Sequence, residues 1–323
     1  MSRKPPSAAN ASPDAARRGA AALAPAAAAG LLLALVLLWG SNWPIMKVGI
    51  TLIPPFWFAV VRLGLGALTL FLLLAALGRL RLPPRADLPV VASVGLLQMA
   101  SYLALVNLAL ESVPAGRSAV LAYTTPFWVA PGAALLLGER LTARRLLGLC
   151  LGLGGLLVLF NPLDFPWHDG EAVSGNLLLL VAAFAWALTI LSVRGHRWRS
   201  SALTLLPWQL LLGSLALLPF AWWREGLPQP VWGWELAAIL AYNGPFATGL
   251  AYWVSLSLTR GLPAVTVSLG FLGVPAVGLS ASVLVLGEPL PWSLLAGLVL
   301  VLAGLVAVSL PARPPAAARG RLS

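Results

Sequence analysis

Charged side chains are scarce in this chain. They make up 10% of its 323 residues, whereas 59% of the residues are hydrophobic and the mean hydropathy is +0.90. A soluble globular domain carries roughly a quarter charged residues, so these charges are too few to cover a soluble surface. A disordered or collagen-like chain is excluded by the same numbers. The composition indicates a polytopic membrane protein.

Cysteine and histidine are rarer still. The chain has one cysteine, Cys150, and two histidines, His168 and His196. A single cysteine excludes a disulfide framework and any multi-cysteine metal site. The two histidines fall in different predicted loops, and no pair of histidines has the helical spacing that holds a metal. We therefore expect no metal-binding residues, no catalytic residues and no cofactor.

Long apolar runs dominate the rest of the sequence. A helix needs about 20 mostly apolar residues to cross about 30 Å of hydrocarbon. This length predicts an all-α protein with ten transmembrane helices, at residues 28–47, 55–77, 88–110, 115–137, 143–160, 175–194, 202–223, 235–258, 262–286 and 291–310. The gaps between them are short and rich in proline, which is typical of turns.

The distribution of positive charge predicts the orientation. If the N-terminus is cytoplasmic, most Lys and Arg fall in cytoplasmic segments, including those near residues 79–85, 140–145 and 194–199, whereas most carboxylates fall outside. Basic loops are retained in the cytoplasm. We therefore predict a multi-pass protein of the inner (plasma) membrane with both termini cytoplasmic. The net charge of +11 then favours contact with the lipid bilayer, and we expect no nucleic-acid partner because no basic, aromatic-interleaved patch forms.

The two halves of the chain resemble each other. Laid over itself with a shift of 147 or 149 residues, the sequence brings together proline, tryptophan and Gly-Glu positions: Pro114 on Pro263, Trp39 on Trp186, Arg62 on Gln209, and Gly138-Glu139 on Gly287-Glu288. Each half holds five predicted spans, so the halves would enter the membrane from opposite sides. Inverted repeats of this kind provide two states around one central site, which is typical of carriers.

The predicted organisation has five parts. They are a disordered cytoplasmic tail (1–27), a first five-helix repeat (28–160), an outer loop (161–174), a second five-helix repeat (175–310) and a cytoplasmic tail (311–323).

Several short motifs resemble the EamA-type transporters of the drug/metabolite transporter superfamily. They are Trp39-Gly40-Ser41-Asn42 at the end of the first span, Arg62 in the second, and the Gly-Glu pairs at 138–139 and 287–288. The resemblance covers about residues 28–310, although Ala187-Leu188-Thr189 stands where Gly40-Ser41-Asn42 would recur. It implies ten helices and the export or exchange of small metabolites such as amino acids, without enzymatic activity.

Arg62 is the most informative candidate site residue. It lies about 10 Å deep in the second span, at 1.5 Å per residue, where a charge is expensive and usually faces a cavity or a partner. It would either attract a substrate carboxylate or phosphate, or snorkel outward and bond helix carbonyls. Asn42 would likewise bond substrate or a neighbouring helix. The expected substrate-binding set is Arg62, Asn42, Gln98, Tyr123 and Gln209.

Two further features allow more than one interpretation. Gly148-x-x-x-Gly152 with Gly155 permits close helix approach, either between the repeats of one chain or in a homodimer. Glu139 and Glu288 follow the ends of spans four and nine. They would stabilise the positive N-terminal ends of the next helices, or couple transport to protons.

The predicted function is secondary transport of a small organic metabolite, an amino acid or a related compound, in the outward direction. The chain contains no Gly-Lys-Ser/Thr sequence of the Walker type, so we expect an ion gradient, an exchange partner or the substrate gradient to drive it. One alternative is a broad-specificity exporter of apolar compounds. The other is a membrane-embedded lipid-modifying enzyme, which would need the acidic cluster of loop 164–171.

Overall fold

The computed structural model describes residues 25–138, 142–161, 165–261 and 271–309, and every regular element in these ranges is helical. In chain order the elements are α1 (Pro25–Leu52), α2 (Pro55–Ala76), α3 (Leu88–Ser93), π1 (Val94–Tyr102), α4 (Leu103–Ser112), α5 (Ala115–Ala122), α6 (Thr125–Leu137), α7 (Ala143–Phe160), α8 (Gly170–Gly195), α9 (Ala202–Glu225), α10 (Trp234–Ala241), π2 (Tyr242–Leu250), α11 (Ala251–Gly261), α12 (Gly273–Leu286) and α13 (Trp292–Ser309). A 3₁₀ turn, Arg85–Asp87, precedes α3.

Six helical stretches of the described chain are long and apolar enough to cross a membrane. They are Ala26–Leu52, Pro55–Ala76, Arg85–Ser112, Ala115–Leu136, Gly170–Gly195 and Ala202–Glu225, and shorter apolar helices follow at Gly273–Leu286 and Trp292–Ala307. Large apolar side chains are widely exposed: Leu135 and Leu284 are each 84% exposed. Such surfaces suit contact with lipid. The predicted all-α membrane fold is confirmed, whereas the count of ten spans stays a prediction, since part of the span at 262–286 lies outside the described residues.

Two π-helical segments interrupt the longer helices. The segment π1 begins at Val94 and π2 begins at Tyr242, and each is nine residues long. Each packs on a glycine of another helix. A Cβ on Gly66 of α2 would lie 3.1 Å from the carbonyl oxygen of Gly244 in π2, and one on Gly213 of α9 would lie 2.9 Å from that of Gly95 in π1. These glycines therefore allow the backbones to touch.

Helices α7 and α13 pack closely through glycine. A Cβ on Gly155 would lie 2.9 Å from the Gly297 carbonyl oxygen, and one on Gly304 would lie 2.6 Å from that of Gly148. Since small residues let helix backbones approach each other, the glycine motif of α7 serves packing within this chain. The homodimer stays a prediction.

Three carboxylates accept hydrogen bonds from backbone N–H groups at the starts of distant helices. Glu225 accepts from Phe56 and Trp57 of α2 at 2.9 and 3.1 Å. Glu288 accepts from Ala115 and Gly116 of α5 at 2.6 and 2.9 Å. A carboxylate at a helix N-terminus satisfies unpaired N–H groups and favours the helix dipole.

The third carboxylate is Asp87. It accepts from the backbone of Arg199 and Ser200, just before α9, at 3.0 and 2.8 Å, and it lies 3.0 Å from Nε2 of His196. The contacts of Glu288 correct one expectation. Glu288 was expected to stabilise the start of the next helix, but its carboxylate reaches α5, more than 170 residues earlier in the chain. Glu139 lies outside the described residues.

Other polar side chains join neighbouring helices. Lys47 donates from Nζ to the carbonyl oxygens of Leu110 and, at 3.2 Å, Val113 at the end of α4. Asn107, which is fully buried, donates to the carbonyl oxygen of Pro55 at 3.0 Å. The Lys47 bonds satisfy carbonyl groups at the C-terminal end of α4, whereas the Asn107 bond joins α4 to the first residue of α2.

Candidate substrate cavity

A cavity lies between the helices of the two halves of the chain. In this structure it offers about 50 Å³ to water-sized groups, and it is partly open to solvent. Most of the side chains around it are aromatic or apolar: its wall is formed by Trp39, Asn42, Trp43, Met46, Arg62, Tyr102, Leu103, Val106, Tyr123, Trp186, Ala247 and Tyr252. A mostly apolar cavity with a few convergent polar groups is typical of small-molecule sites.

Arg62 is the charged residue of the cavity wall. It is 3% exposed, and its Nε and Nη2 donate to Oγ1 of Thr248 in π2 at 3.2 and 3.1 Å. Its Nη1 lies 2.9 Å from the sulfur of Met46, and the guanidinium carbon lies 6.0 Å from the centre of the Phe58 ring. The side chain is therefore buried and does not snorkel to a surface, and among the described residues it bonds a hydroxyl and a thioether, with no bond to a helix carbonyl.

The surroundings of Arg62 are electrically neutral. A guanidinium carries five N–H donors, and here they meet one hydroxyl, one thioether and one aromatic face. Within the described ranges Arg62 forms no ion pair with a carboxylate. Removing a cation from water without a counter-ion is costly. The cavity is therefore electrostatically suited to an anionic group placed beside Arg62.

Asn42 contributes an acceptor to the same wall. The residue is 4% exposed, and its Oδ1 has no hydrogen-bond partner in the described structure. Ser41, beside it, is instead used between helices, since its hydroxyl bonds the Leu37 carbonyl and the Tyr242 hydroxyl. An unpaired buried acceptor is costly unless a ligand supplies a donor.

The aromatic side chains form two similar pairs. Trp39 and Tyr252 have ring centroids 5.3 Å apart at an interplanar angle of 60°, and Trp186 and Tyr102 lie 5.3 Å apart at 58°. Tyr123 adds an edge contact to Trp186 at 5.7 Å. The indole N–H of Trp39 also donates to the Ala247 carbonyl at 3.0 Å.

The structure brings together three of the five residues expected from sequence, namely Arg62, Asn42 and Tyr123. Gln98 lies in π1 and is not among the residues of the cavity wall. Gln209 does not reach the cavity wall. It is 4% exposed in α9, its backbone packs against Gly95 of π1, and its Nε2 has no partner in the described chain.

Sequence reasoning missed most of the aromatic wall. Trp39, Trp43 and Met46 share a helical face with Asn42, because residues three, four and seven positions apart are neighbours on a helix. The repeat match of Trp39 with Trp186 was a second signal, since both residues line the cavity.

The comparisons with known proteins give the family. The EamA-like transporter family matches the chain twice, over residues 26–161 and 173–310. The chain belongs to the EamA-like transporter family, and the resemblance noted from sequence is confirmed. Its members are membrane-embedded transporters of small molecules.

Relatives of similar length support the assignment. The chain is 28% identical over 274 residues to the uncharacterized transporter YoaV of Bacillus subtilis, covering 85% of this chain and 94% of YoaV. It is 30% identical over 284 residues to a probable amino-acid metabolite efflux pump of Salmonella typhimurium, covering 85% and 92%. The Escherichia coli protein of the same name is 27% identical over 283 residues, with the same coverages.

One solved crystal structure shares the fold. It superposes with a TM-score of 0.62 at 23% sequence identity, covering 87% of this chain and 96% of the other. At this identity the likeness concerns the fold alone.

Proposed function

We propose that this chain is a secondary carrier that moves a small organic metabolite, an amino acid or a related compound, out across the inner membrane by alternating access. The two halves would form inverted five-helix repeats around the cavity, with both termini cytoplasmic. Two similar proteins are named as probable amino-acid metabolite efflux pumps, which supports the substrate class and the direction.

Three relationships support the two-repeat arrangement. The family matches the chain in two stretches of nearly equal length. The π segments begin at Val94 and Tyr242, an offset of 148 residues that falls between the two shifts of the sequence repeat, 147 and 149. The Trp–Tyr pairs cross between the halves, because Trp39 of the first half meets Tyr252 of the second, and Trp186 of the second meets Tyr102 of the first.

The observation that carries the substrate proposal is the guanidinium of Arg62, buried at a cavity wall and bonded to neutral groups. A substrate carboxylate would complete its hydrogen bonds, and charge-assisted bonds of this kind are the strong ones. A donor on the same substrate, such as an ammonium group, would satisfy Oδ1 of Asn42. The guanidinium of Arg62 and Oδ1 of Asn42 together fit a compound that has an anionic group and a hydrogen-bond donor at one end and an apolar remainder.

The aromatic wall supports a second candidate function, broad export of apolar compounds. Trp39, Trp43 and Trp186 would accept many flat or aliphatic ligands without specific hydrogen bonds. In that case the charge of Arg62 would matter little.

Counterflow into proteoliposomes tests the proposal with a panel of amino acids, organic acids and uncharged aromatic compounds. Arg62→Gln removes the charge and keeps the length nearly unchanged, so uptake of carboxylates should fall at least tenfold while uptake of uncharged compounds is retained. Arg79→Gln is the matched control, since Arg79 is exposed in the loop after α2. Equal carboxylate uptake by Arg62→Gln and the wild type would reject the anion site in favour of the apolar exporter.

Reporter fusions at both termini test the topology independently. Reporters on the same cytoplasmic face are expected from an even number of spans. Termini on opposite faces would refute the inverted five-plus-five arrangement.

A further inference from the structure

We propose that Trp39 and Trp186 alternate as hydrogen-bond donors to two backbone carbonyls, those of Ala247 and Met99, which the π segments release from the helical pattern. The present structure is the state in which Trp39 is bonded. In the state open to the other side of the membrane, the Trp39 bond is broken and Trp186 is bonded to Met99. This inference rests on the proposed alternating access.

The Ala247 carbonyl is released where π2 returns to α-helix. In an α-helix the N–H of Ala251 would bond this carbonyl, four residues earlier. Here that N–H bonds the carbonyls of Phe246 and Thr248 instead. The indole of Trp39 takes the vacant place, with Nε1 3.0 Å from the Ala247 oxygen.

The same event occurs at the end of π1. The N–H of Leu103, whose α-helical partner would be the Met99 carbonyl, bonds the carbonyl of Ala100 instead. Met99 is the sixth residue of π1, as Ala247 is the sixth residue of π2. The two released carbonyls are therefore equivalent positions of the two halves.

Trp186 stands in the place that corresponds to Trp39. It aligns with Trp39 in the sequence repeat, lines the same cavity, and packs on Tyr102 with the geometry that Trp39 has on Tyr252. Its indole N–H, however, makes no hydrogen bond within the described part of the chain. An indole inside a protein usually finds a partner. One of two equivalent donors is thus paired and the other is not.

This difference between the Trp39 and Trp186 indoles is expected if the two tryptophans alternate as donors. Inverted repeats exchange conformations when the carrier changes the side to which it opens, so the paired and unpaired tryptophans would exchange roles. One bond is lost as its equivalent forms, which keeps the two states close in free energy. The exchange also reaches the candidate anion site, because Thr248, the neighbour of Ala247, holds the guanidinium of Arg62.

Accessibility of a reporter cysteine from each side of the membrane tests the exchange. The background is Cys150→Ser with Val106→Cys, which replaces the sole cysteine and places a thiol on the cavity wall. A membrane-impermeant maleimide is applied to right-side-out and inside-out vesicles. The ratio of the two labelling rates then reports which side the cavity opens to.

Trp39→Phe removes the donor and keeps an aromatic ring. It should shift the ratio about fivefold toward the opposite state, since one net hydrogen bond contributes about 1 kcal/mol. Trp186→Phe should shift it in the other direction by a similar factor. The double variant loses one bond in each state and should return close to the background ratio.

Trp128→Phe is the matched control, because Trp128 is 39% exposed, lies outside the cavity wall and packs on Phe184. It should leave the ratio unchanged. Shifts of the two cavity variants in the same direction, or no shift in either, would overturn the exchange while leaving the carrier proposal intact. If Trp39→Phe folds poorly, Trp186→Phe alone still tests the exchange, because it removes no hydrogen bond that is present in this structure. Labelling from one side only in every variant would refute alternating access itself.

Discussion

Trp39 packs its indole on the ring of Tyr252 with centroids 5.3 Å apart, and the two residues are more than 200 positions apart in sequence. The second such contact, between Trp186 and Tyr102, has the same distance of 5.3 Å between ring centroids. Each pair joins a residue of the first half of the chain to one of the second. The cavity wall therefore depends on both halves at once, as a site between two moving halves would require.

The hydroxyl of Thr248 should determine how well Arg62 holds an anion. Thr248→Val keeps the shape but removes the acceptor for Nε and Nη2 of Arg62. Bonds to charged groups contribute roughly 1.5–3 kcal/mol, so KM for a transported carboxylate should rise about tenfold or more. Thr248→Ser keeps the hydroxyl and should restore KM to near the wild-type value. Equal KM values for the Val and Ser variants would contradict the positioning role.

Asn42 should discriminate substrates by their donors. Asn42→Leu removes the unpaired Oδ1 from the wall. We expect counterflow of substrates with an N–H or O–H donor beside the carboxylate to weaken about tenfold, because a buried hydrogen bond is lost. Simple carboxylates without such a donor should be transported as before. A uniform decrease across both groups of compounds would point to a packing defect instead.

The carboxylate of Glu288 should stabilise the fold and not couple transport to protons. Glu288→Ala removes the acceptor for Ala115 and Gly116 and should lower the free energy of unfolding by about 1–2 kcal/mol, seen as a lower Tm in detergent. Glu235→Ala is the control, since Glu235 is exposed in the first turn of α10.

The isosteric Glu288→Gln variant tests the role in coupling. It should keep the dependence of uptake on an imposed pH gradient. If Glu288→Gln removed that dependence while the protein stayed folded, the proton-coupling interpretation would replace the structural one.

The glycine contact between α7 and α13 offers a packing test on a single helix. A Cβ at Gly155 would lie 2.8 and 2.9 Å from backbone atoms of Val301 and Gly297, whereas one at Gly154 meets nothing within 4 Å. Gly155→Ala should therefore destabilise the protein by about 1–3 kcal/mol through overpacking. Gly154→Ala should be neutral or slightly stabilising, because alanine is the better helix former. Similar thermal stabilities for the two variants would show that the helices separate easily.

Much of the fold followed from the sequence. The scarcity of charge and the long apolar runs sufficed to predict a helical membrane protein, because few other structures satisfy backbone groups in lipid. Arg62 was found because a charge inside an apolar run is rare. The motifs around Trp39 and Arg62 were enough to indicate the family that the comparisons show.

The neighbours of these residues in the fold could not be predicted from the sequence. The membrane helices carry apolar residues on nearly every face. Hydropathy therefore could not tell which side of α1 or α9 faces protein and which faces lipid. For this reason Gln209, which aligns with Arg62 in the repeat, was expected in the cavity, whereas the structure buries it on α9 with its backbone against Gly95 of π1. The partner of Glu288 was misassigned for a related reason, since nearness along the chain does not determine which helix start lies beside a loop.

Sequence alone thus determined the environment of this protein, the helical character of its spans and the presence of a buried cation. Only the tertiary structure decided that Thr248 and Met46 are the neighbours of Arg62, and that each tryptophan of the repeat packs on a tyrosine of the opposite half. The physical reason is that burial in lipid depends on composition, which is local. Helix pairing depends instead on small packing and hydrogen-bond energies between residues of different helices, which can lie far apart in the sequence.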